Sequence, residues 1–308
     1  MPRKKYIPET PSLFDFIERE EKAPEKEAQK LFFISFGSGS SGNCSFFGTK
    51  DSGILIDAGV KPENVIPVLK KYGISMSAVR AILITHDHAD HVRYAYKIMK
   101  KHPHLAFICT PKCLKGIFLR HSLTIRLKDY HRPIFIETPI TVGTFKVTAF
   151  TTMHDGTDNV GYFIEYGDVK FAIATDLGCI SERVDYYMRQ ATHIVLESNY
   201  DEYMLTHGKY PLYLQARITA ENGHLDNKVA AAYIAKIYSE KLSHVFLCHL
   251  SNDNNTPEKA LEEMRSSLSA AGITMGDASE SLEAREADLQ VTTLPRYDAS
   301  ALYVLRSE

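Results

Sequence analysis

The chain has 308 residues, of which 44% are apolar and 24% charged, and its formal net charge is −2. This is ordinary globular composition, with enough length to bury a substantial core and no overall attraction to nucleic acid or to a membrane surface. Five cysteines at irregular spacing argue against a disulfide framework and are typical of a reducing compartment.

Residues 1–30 differ in composition from the rest of the chain. They are rich in Pro, Glu and Lys and carry one apolar island of Leu13, Phe14, Phe16 and Ile17. We predict a mobile tail here and a single hydrolase domain over residues 31–308. The island either docks on the domain or contacts a protein partner, because SLFDF is similar to short apolar peptides that bind bacterial sliding clamps. No segment has the apolar length of a signal peptide or a membrane span, so we expect a cytoplasmic protein with no membrane contact.

Short strand-like segments open the domain. LFFISF, CSFFGT and GILID are β-rich runs separated by Gly and Ser turns, which predicts antiparallel strands. A helical stretch begins at Pro62 and ends at Gly73. AVRAILIT (78–85) is typical of a buried strand, and a helical pattern follows it from Ala89 to Lys101.

Strands and helices alternate through the rest of the chain. Further strands are predicted at LAFICT, PIFIE, FKVTAF, VGYFIEYG and VKFAIAT, with a Gly167-Asp168 turn between the last two. THIVLES and HVFLCHL predict later strands, and helices are predicted after a cap at Asp226 and from Pro257. ALYVL closes a sheet near the C-terminus. The order indicates one α/β domain with two β-rich halves flanked by helices.

The strongest chemical signal is THDHADH (85–91), which directly follows a predicted strand. Residues two apart on an extended segment project to the same side, so His86 and His88 can hold one cation. Asp90 and His91 lie where the chain turns into a helix and can hold a second. Imidazole and carboxylate ligands suit zinc, manganese or iron better than calcium or magnesium.

Two cations need more ligands than this segment supplies. His154, Asp176 and His249 each follow a predicted strand, at the point where a chain leaves a sheet. Taken singly, each of these three would more often be an ordinary polar residue than a metal ligand. Their repeated placement at strand ends predicts that they converge on the same site.

These motifs resemble the metallo-β-lactamase fold, a four-layer αββα sandwich. The resemblance covers residues 31–305 and rests on HDHADH, the preceding GILIDAG, and His154, Asp176 and His249. It implies two divalent metal ions: one held by His86, His88 and His154, and one held by Asp90, His91 and His249. It also implies that Asp176 bridges both ions and that Asp57 orders the loop of ligands.

Longer motifs are similar to the WalJ/YycJ-type subfamily, whose members are described as 5′-to-3′ DNA exonucleases. They are SFGSGSSGNCSFFG, MHDGTDNVGYFIE, LESNYDEYML and ENGHLDN, with Asp226 where the subfamily suggests Ser. The resemblance implies a phosphodiesterase in which a hydroxide that bridges the ions attacks phosphorus. Asp90 is then catalytic as a ligand, and His224 is the candidate proton donor to the leaving oxygen, with a loop or capping role as the alternative.

The Gly-rich segment GSGSSGN (37–43) matches GxGxxG but is followed by the β-like run CSFFGT. A dinucleotide fingerprint requires a helix there, so we reject a Rossmann interpretation. The segment is either a tight turn between strands or a turn that also brings Ser40, Ser41 or Asn43 to the substrate.

Charge distribution bears on the substrate. Residues 92–132 contain ten Lys and Arg residues against a single acid, Asp129, which favours contact with DNA phosphates. His88 stands where oxygen-reducing diiron relatives have a carboxylate, which favours hydrolysis. Asp176 and His249 are too close in sequence for the inserted domain of the RNA-processing branch, which disfavours a β-CASP-type ribonuclease. Hydrolysis of a small thioester, lactone or cyclic phosphodiester stays open, as does a non-catalytic, metal-stabilised interaction protein.

Overall fold

The structure, a computed structural model, describes residues 30–122, 125–277 and 286–305. The tail and its SLFDF segment lie outside these residues. The first sheet contains β1 (Leu31–Gly37), β2 (Cys44–Gly48), β3 (Gly53–Ile56), β4 (Val79–Leu83), β5 (Ala106–Cys109), β6 (His131–Pro133) and β15 (Tyr303–Leu305). The second contains β7 (Ile140–Val142), β8 (Phe145–Thr151), β9 (Val160–Tyr166), β10 (Val169–Ala174), β11 (His193–Glu197), β12 (His244–Cys248), β13 (Met275–Gly276) and β14 (Leu289–Thr293).

The described helices connect these strands and cover the sheets. They are α1 (Pro62–Lys71), α2 (Ala89–Val92), α3 (Ala95–Lys101), α4 (Pro111–Arg120), α5 (Glu182–Met188), α6 (Glu202–His207), α7 (Leu212–Ile218), α8 (Asn227–Ile237) and α9 (Pro257–Ala270). Within the described part of the chain, none is long and apolar enough to span a bilayer.

Each sheet is antiparallel on one side and parallel on the other. The first has the order β15-β1-β2-β3-β4-β5-β6, with parallel pairing from β3 onward. The second has the order β13-β14-β12-β11-β10-β9-β8-β7, with parallel pairing from β10 through β13. The expected hairpin joins β9 to β10 with Val169 opposite Tyr166.

The layers follow from which faces are apolar. Both sheets contribute to a central core that includes Phe33 and Phe47 from the first and Phe171 and Phe246 from the second. The other face of the first sheet packs under α1, α3 and α4, and that of the second packs under α5, α8 and α9. This is the predicted four-layer αββα sandwich, because each sheet buries one face on the other sheet and one on helices.

Two local predictions were wrong. PIFIE does not form the predicted strand: β6 is His131–Pro133, whose pairing with β5 ends at Cys109, and beyond it Ile136 makes only an isolated bridge to Ala149 of β8. The helical pattern of residues 89–101 is split into α2 and α3, because the Tyr94 backbone N–H donates to Ala58 O at 2.9 Å instead of continuing the helix.

Candidate metal centre

The loop that carries HDHADH is fixed by Asp57. This carboxylate accepts hydrogen bonds from the Thr85 backbone N–H at 2.9 Å and from His91 Nδ1 at 2.7 Å. Asp57 is buried and adopts φ 63°, a conformation that only a few non-glycine residues tolerate. Its anchoring of His91 Nδ1 leaves the Nε2 atom of that ring directed toward Asp90 and Asp176.

The first predicted ligand set comes together. The donor atoms of His86, His88 and His154 lie within 4.8 Å of one another, with ring centroids 4.6 to 5.1 Å apart. His154 Nδ1 donates to Gly223 O at 2.9 Å, which turns its Nε2 toward the other two rings.

The second predicted set is also assembled. The donor atoms of Asp90, His91 and His249 lie within 4.8 Å of one another. Asp90 Oδ2 is 3.6 Å from His91 Nε2 and 3.9 Å from His249 Nε2. Three buried or half-buried side chains, two imidazoles and one carboxylate, therefore surround a single point.

Asp176 lies between the two sets. Its Oδ2 is 3.3 Å from His91 Nε2, and its Oδ1 is 3.8 Å from His154 Nε2 and 3.4 Å from His249 Nδ1. Asp176 and His249 have φ of 52° and 55°, so strained backbone is concentrated at the ends of β10 and β12. A carboxylate in this position can bridge two cations.

Unsatisfied buried nitrogens show that these residues fit divalent metal ions. Among the described residues, His86 Nε2 and His249 Nε2 are buried without a hydrogen-bond partner. Each orphaned nitrogen costs about 1–3 kcal/mol unless a partner is supplied. A cation is such a partner, and the nearby carboxylates of Asp90 and Asp176 balance its charge.

Electrostatics in the centre follow from burial and mutual contact. Burial lowers the pKa of His86 well below its usual value, with His91 and His154 adding to the effect, so its ring is neutral and can donate a lone pair. Burial acts in the same direction on His249, but Asp176 and Asp90 outweigh it and raise the pKa to about 10. The two ends of the centre therefore differ in charge before any cation binds.

Glu197 is a functional candidate that sequence analysis missed. It ends β11, is fully buried, and its Oε1 accepts from His224 Nδ1 at 2.7 Å and from His249 Nδ1 at 2.8 Å. Backbone N–H groups of Leu177 and Leu225 donate to its Oε2. Since both oxygens are already occupied as acceptors, Glu197 is suited to orienting the two histidines rather than to binding a cation. The sequence signal that could have identified Glu197 is an acidic residue at the end of an apolar strand, the same signal that identified Asp176.

His224 lies over both ligand sets. Its ring centroid is 5.1 Å from that of His154 and 5.3 Å from that of His249. Its backbone N–H donates to Ile218 O at 2.8 Å, so the end of α7 holds it in place. Burial would lower its pKa, but Glu197 raises it above the usual value.

Asp155 is a second residue that sequence analysis missed. Its Oδ1 is 3.3 Å from His88 Nε2 and 3.4 Å from His154 Nε2, and Arg217 binds its Oδ2 at 2.6 Å. Arg120 donates to the Asp155 backbone O at 3.3 Å. Two arginines thus stand at the rim of the first ligand set.

The Gly-rich loop contacts the centre through one residue. Asn43 is buried, and its Nδ2 lies 3.2 Å from Asp90 Oδ2 and 2.9 Å from His91 Nε2. Ser40 and Ser41 are exposed at the turn. The loop leads into β2 and not into a helix, which confirms that it is not a dinucleotide-binding turn.

The fold matches that of known proteins. Residues 53–249 match the β-lactamase superfamily domain. The chain belongs to the metallo-β-lactamase superfamily. Among solved structures, the metallo-β-lactamase fold protein YhfI from Bacillus subtilis superposes with a TM-score of 0.62 at 13% identity, covering 89% of this chain and 99% of that one.

Two relatives place this superfamily member more narrowly. It is 29% identical to Exodeoxyribonuclease YycJ of Bacillus anthracis, over 87% of this chain and 99% of the relative. It is 27% identical to Exodeoxyribonuclease WalJ of Streptococcus pneumoniae, over 78% and 88%. The chain is therefore a metal-dependent hydrolase of the WalJ/YycJ type.

Proposed function

We propose that this hydrolase is a dinuclear phosphodiesterase that degrades DNA as a 5′-to-3′ exonuclease. The convergence of seven side chains from four strand ends on one centre carries the proposal. The exodeoxyribonuclease names of the relatives support DNA as the substrate. Zinc suits the imidazole-rich ligand set best, and manganese or iron are the alternatives.

In this proposal three of the histidines are prepared to hold a metal by a bond through their other ring nitrogen. His91 is anchored by Asp57, His154 by Gly223 O and His249 by Glu197. Such anchoring fixes the tautomer and the direction of the free nitrogen. When bound, two divalent ions supply a nucleophile at neutral pH and stabilise charge on the phosphoryl oxygens.

His224 is the proposed proton donor to the departing sugar oxygen. Glu197 accepts its Nδ1–H, so its Nε2 is the nitrogen that can face a substrate. The raised pKa keeps a larger share of the ring protonated near neutral pH. A buried, fully bonded carboxylate behind a histidine is the arrangement that holds an imidazolium in place.

Surface charge supports a nucleic-acid substrate. The ten basic residues of residues 92–132 are all exposed. Lys97 forms an ion pair with Glu63 at 2.7 Å, and Arg120 forms one with Asp87 at 3.0 Å. Arg120 also reaches Asp155 at the centre, so the basic surface extends to the place where a phosphate would react.

In the test, purified protein with Mn²⁺ or Zn²⁺ is incubated with DNA labelled at its 5′ or 3′ end and, separately, with a thioester and a lactone. We expect DNA to be shortened from the 5′ end. Asp90→Ala and Asp176→Ala should lose at least about a thousandfold in rate because they remove ligands. Asp168→Ala, an exposed aspartate in the β9–β10 turn, is the matched control and should keep full activity. Activity on the thioester or lactone alone would contradict a DNA substrate.

A further inference from the structure

A cavity of about 300 Å³ lies between the Gly-rich loop and the start of α1. Its lining includes three cationic side chains and two tyrosines, namely Lys61, Arg93, Arg296, Tyr94 and Tyr297. Of the described residues that line it, none carries a carboxylate. The cavity therefore has the electrostatic character of an anion site.

Arg296 is the least solvated of the three cations. Its Nη2 is buried without a hydrogen-bond partner in the described chain. The guanidinium packs over Gly39, where a Cβ would lie 2.9 Å from Nη1, so glycine leaves the room that this side chain occupies. Burial lowers the pKa of Arg296 and outweighs the opposite effects of Tyr297 and Asp253.

Lys61 and Arg93 are exposed and also lack a close anionic partner. Across residues 30–122, 125–277 and 286–305, neither forms an ion pair, whereas their neighbour Lys97 is paired with Glu63. Lys61 is also the N-cap of α1 and makes no side-chain capping bond. The positive end of the helix thus adds to the field of the three side chains.

The cavity and the metal centre share a wall. Asn43 N–H donates to Asp90 O at 2.8 Å, and Gly59 N–H donates to Asn43 O at 2.8 Å. Gly59 lines the cavity, and a Cβ there would overlap Asp90 O. One thin layer of backbone therefore has the ligand Asp90 on one side and the cationic cavity on the other.

We propose that this cavity binds the terminal 5′-phosphate of a DNA strand whose adjoining phosphodiester lies at the metal centre. The proposal rests on the proposed exonuclease function and adds the feature that selects a strand end. A terminal phosphate monoester carries close to two negative charges and three acceptor oxygens, so it matches the three cations better than a singly charged internal phosphate does.

The test compares otherwise identical oligonucleotides that carry a 5′-phosphate or a 5′-hydroxyl. The wild-type protein should show about tenfold higher kcat/KM on the phosphorylated strand, the effect of one charge-assisted contact. Lys61→Ala and, separately, Arg296→Ala should remove this preference while activity on the 5′-hydroxyl strand changes little. Arg265→Ala, which removes an exposed cation from α9, should leave the preference intact.

A third substrate separates the possible failures. Bis(p-nitrophenyl) phosphate has no terminal phosphate, so all four proteins should hydrolyse it at similar rates, which also shows that the half-buried Arg296 can be replaced without loss of fold. Equal wild-type rates on the two oligonucleotides, or a preference that survives both Arg296→Ala and Lys61→Ala, would overturn the cavity proposal alone. Hydrolysis of the small diester without any degradation of DNA would overturn the proposed function and the cavity proposal together.

Discussion

Glu197 and His224 show how one carboxylate can serve two histidines with different tasks. Glu197 Oε1 is within 2.8 Å of both His224 Nδ1 and His249 Nδ1. His249 faces the ligand set of Asp90 and His91, whereas His224 lies over both sets. The shared anion orients both rings and favours the protonated form of each.

Replacement of His224 should separate metal binding from proton transfer. We expect His224→Ala to keep its metal content and to lose about 10²- to 10⁴-fold in kcat, the usual contribution of a positioned acid. Metal content is measured by elemental analysis of purified protein beside kcat. A loss of metal in this variant would show that His224 is a ligand.

Glu197 should act through the pKa of His224. A proton donor is active when protonated, so the rate falls as pH rises through the pKa that Glu197 raises. In Glu197→Gln that pKa drops, and the alkaline limb of the pH–rate profile should move to lower pH. If Glu197→Gln lowers the rate without moving the alkaline limb of the profile, Glu197 has a purely structural role.

At the scale of elements, strand ends were predictable from sequence, but contacts between distant segments were not. His154, Asp176 and His249 were identified because each follows an apolar run. Glu197 ends such a run too, but its role depends on partners 27 and 52 residues away in the sequence, which no local pattern shows. PIFIE has strand composition, yet only Pro133 lies in β6, and Ile136 makes an isolated bridge to the other sheet at Ala149.

The start of α8 carries a local stability prediction. Asp226 Oδ1 accepts from the Lys228 backbone N–H at 2.6 Å and caps the helix. Asp226→Ala should lower the free energy of unfolding by about 1 kcal/mol, whereas Asp226→Ser should nearly preserve it, because serine caps equally well. Urea unfolding of the three proteins measures this. Equal losses in both variants would indicate that the carboxylate has a role beyond capping.

Strands β11 and β12 contain a pH-sensitive pair away from the metal centre. His193 is buried and stacks on His244 with centroids 5.3 Å apart. Burial, and then His244, lowers the pKa of His193 to about 3. The unfolded chain therefore binds this proton near pH 6.5 and the folded chain does not, so stability from this residue is present above pH 6.5 and falls toward pH 3.

The size of this loss of stability at low pH follows from the change in the pKa of His193 on folding. A difference of about 3.5 pKa units corresponds to roughly 4–5 kcal/mol at the acid end of the range. His193→Gln should flatten the dependence of unfolding free energy on pH between 6.5 and 4, measured in urea at each pH. Parallel curves for the variant and the wild type would show that His193 is protonated in the folded protein.

For the whole molecule, the metal centre joins the two halves of the sandwich. His86, His88 and His91 follow β4 of the first sheet, whereas His154, Asp176 and His249 follow strands β8, β10 and β12 of the second. A cation in either ligand set would therefore cross-link the two sheets, and one in each set would satisfy His86 Nε2 and His249 Nε2. Metal binding should therefore stabilise the complete fold rather than a single loop.

Removal of metal should lower the melting temperature by an amount that depends on the concentration of free ion. At a free-ion concentration one hundred times Kd, linkage contributes about 2.7 kcal/mol. This corresponds to roughly 5 °C for a domain of this size. Calorimetry with a chelator and then with graded Zn²⁺ measures the shift. Asp176→Ala, which lacks the central carboxylate, should show a much smaller response, and Asp168→Ala should respond as the wild type does. A melting temperature that chelator and added Zn²⁺ both leave unchanged would mean that the seven converging side chains do not hold a cation.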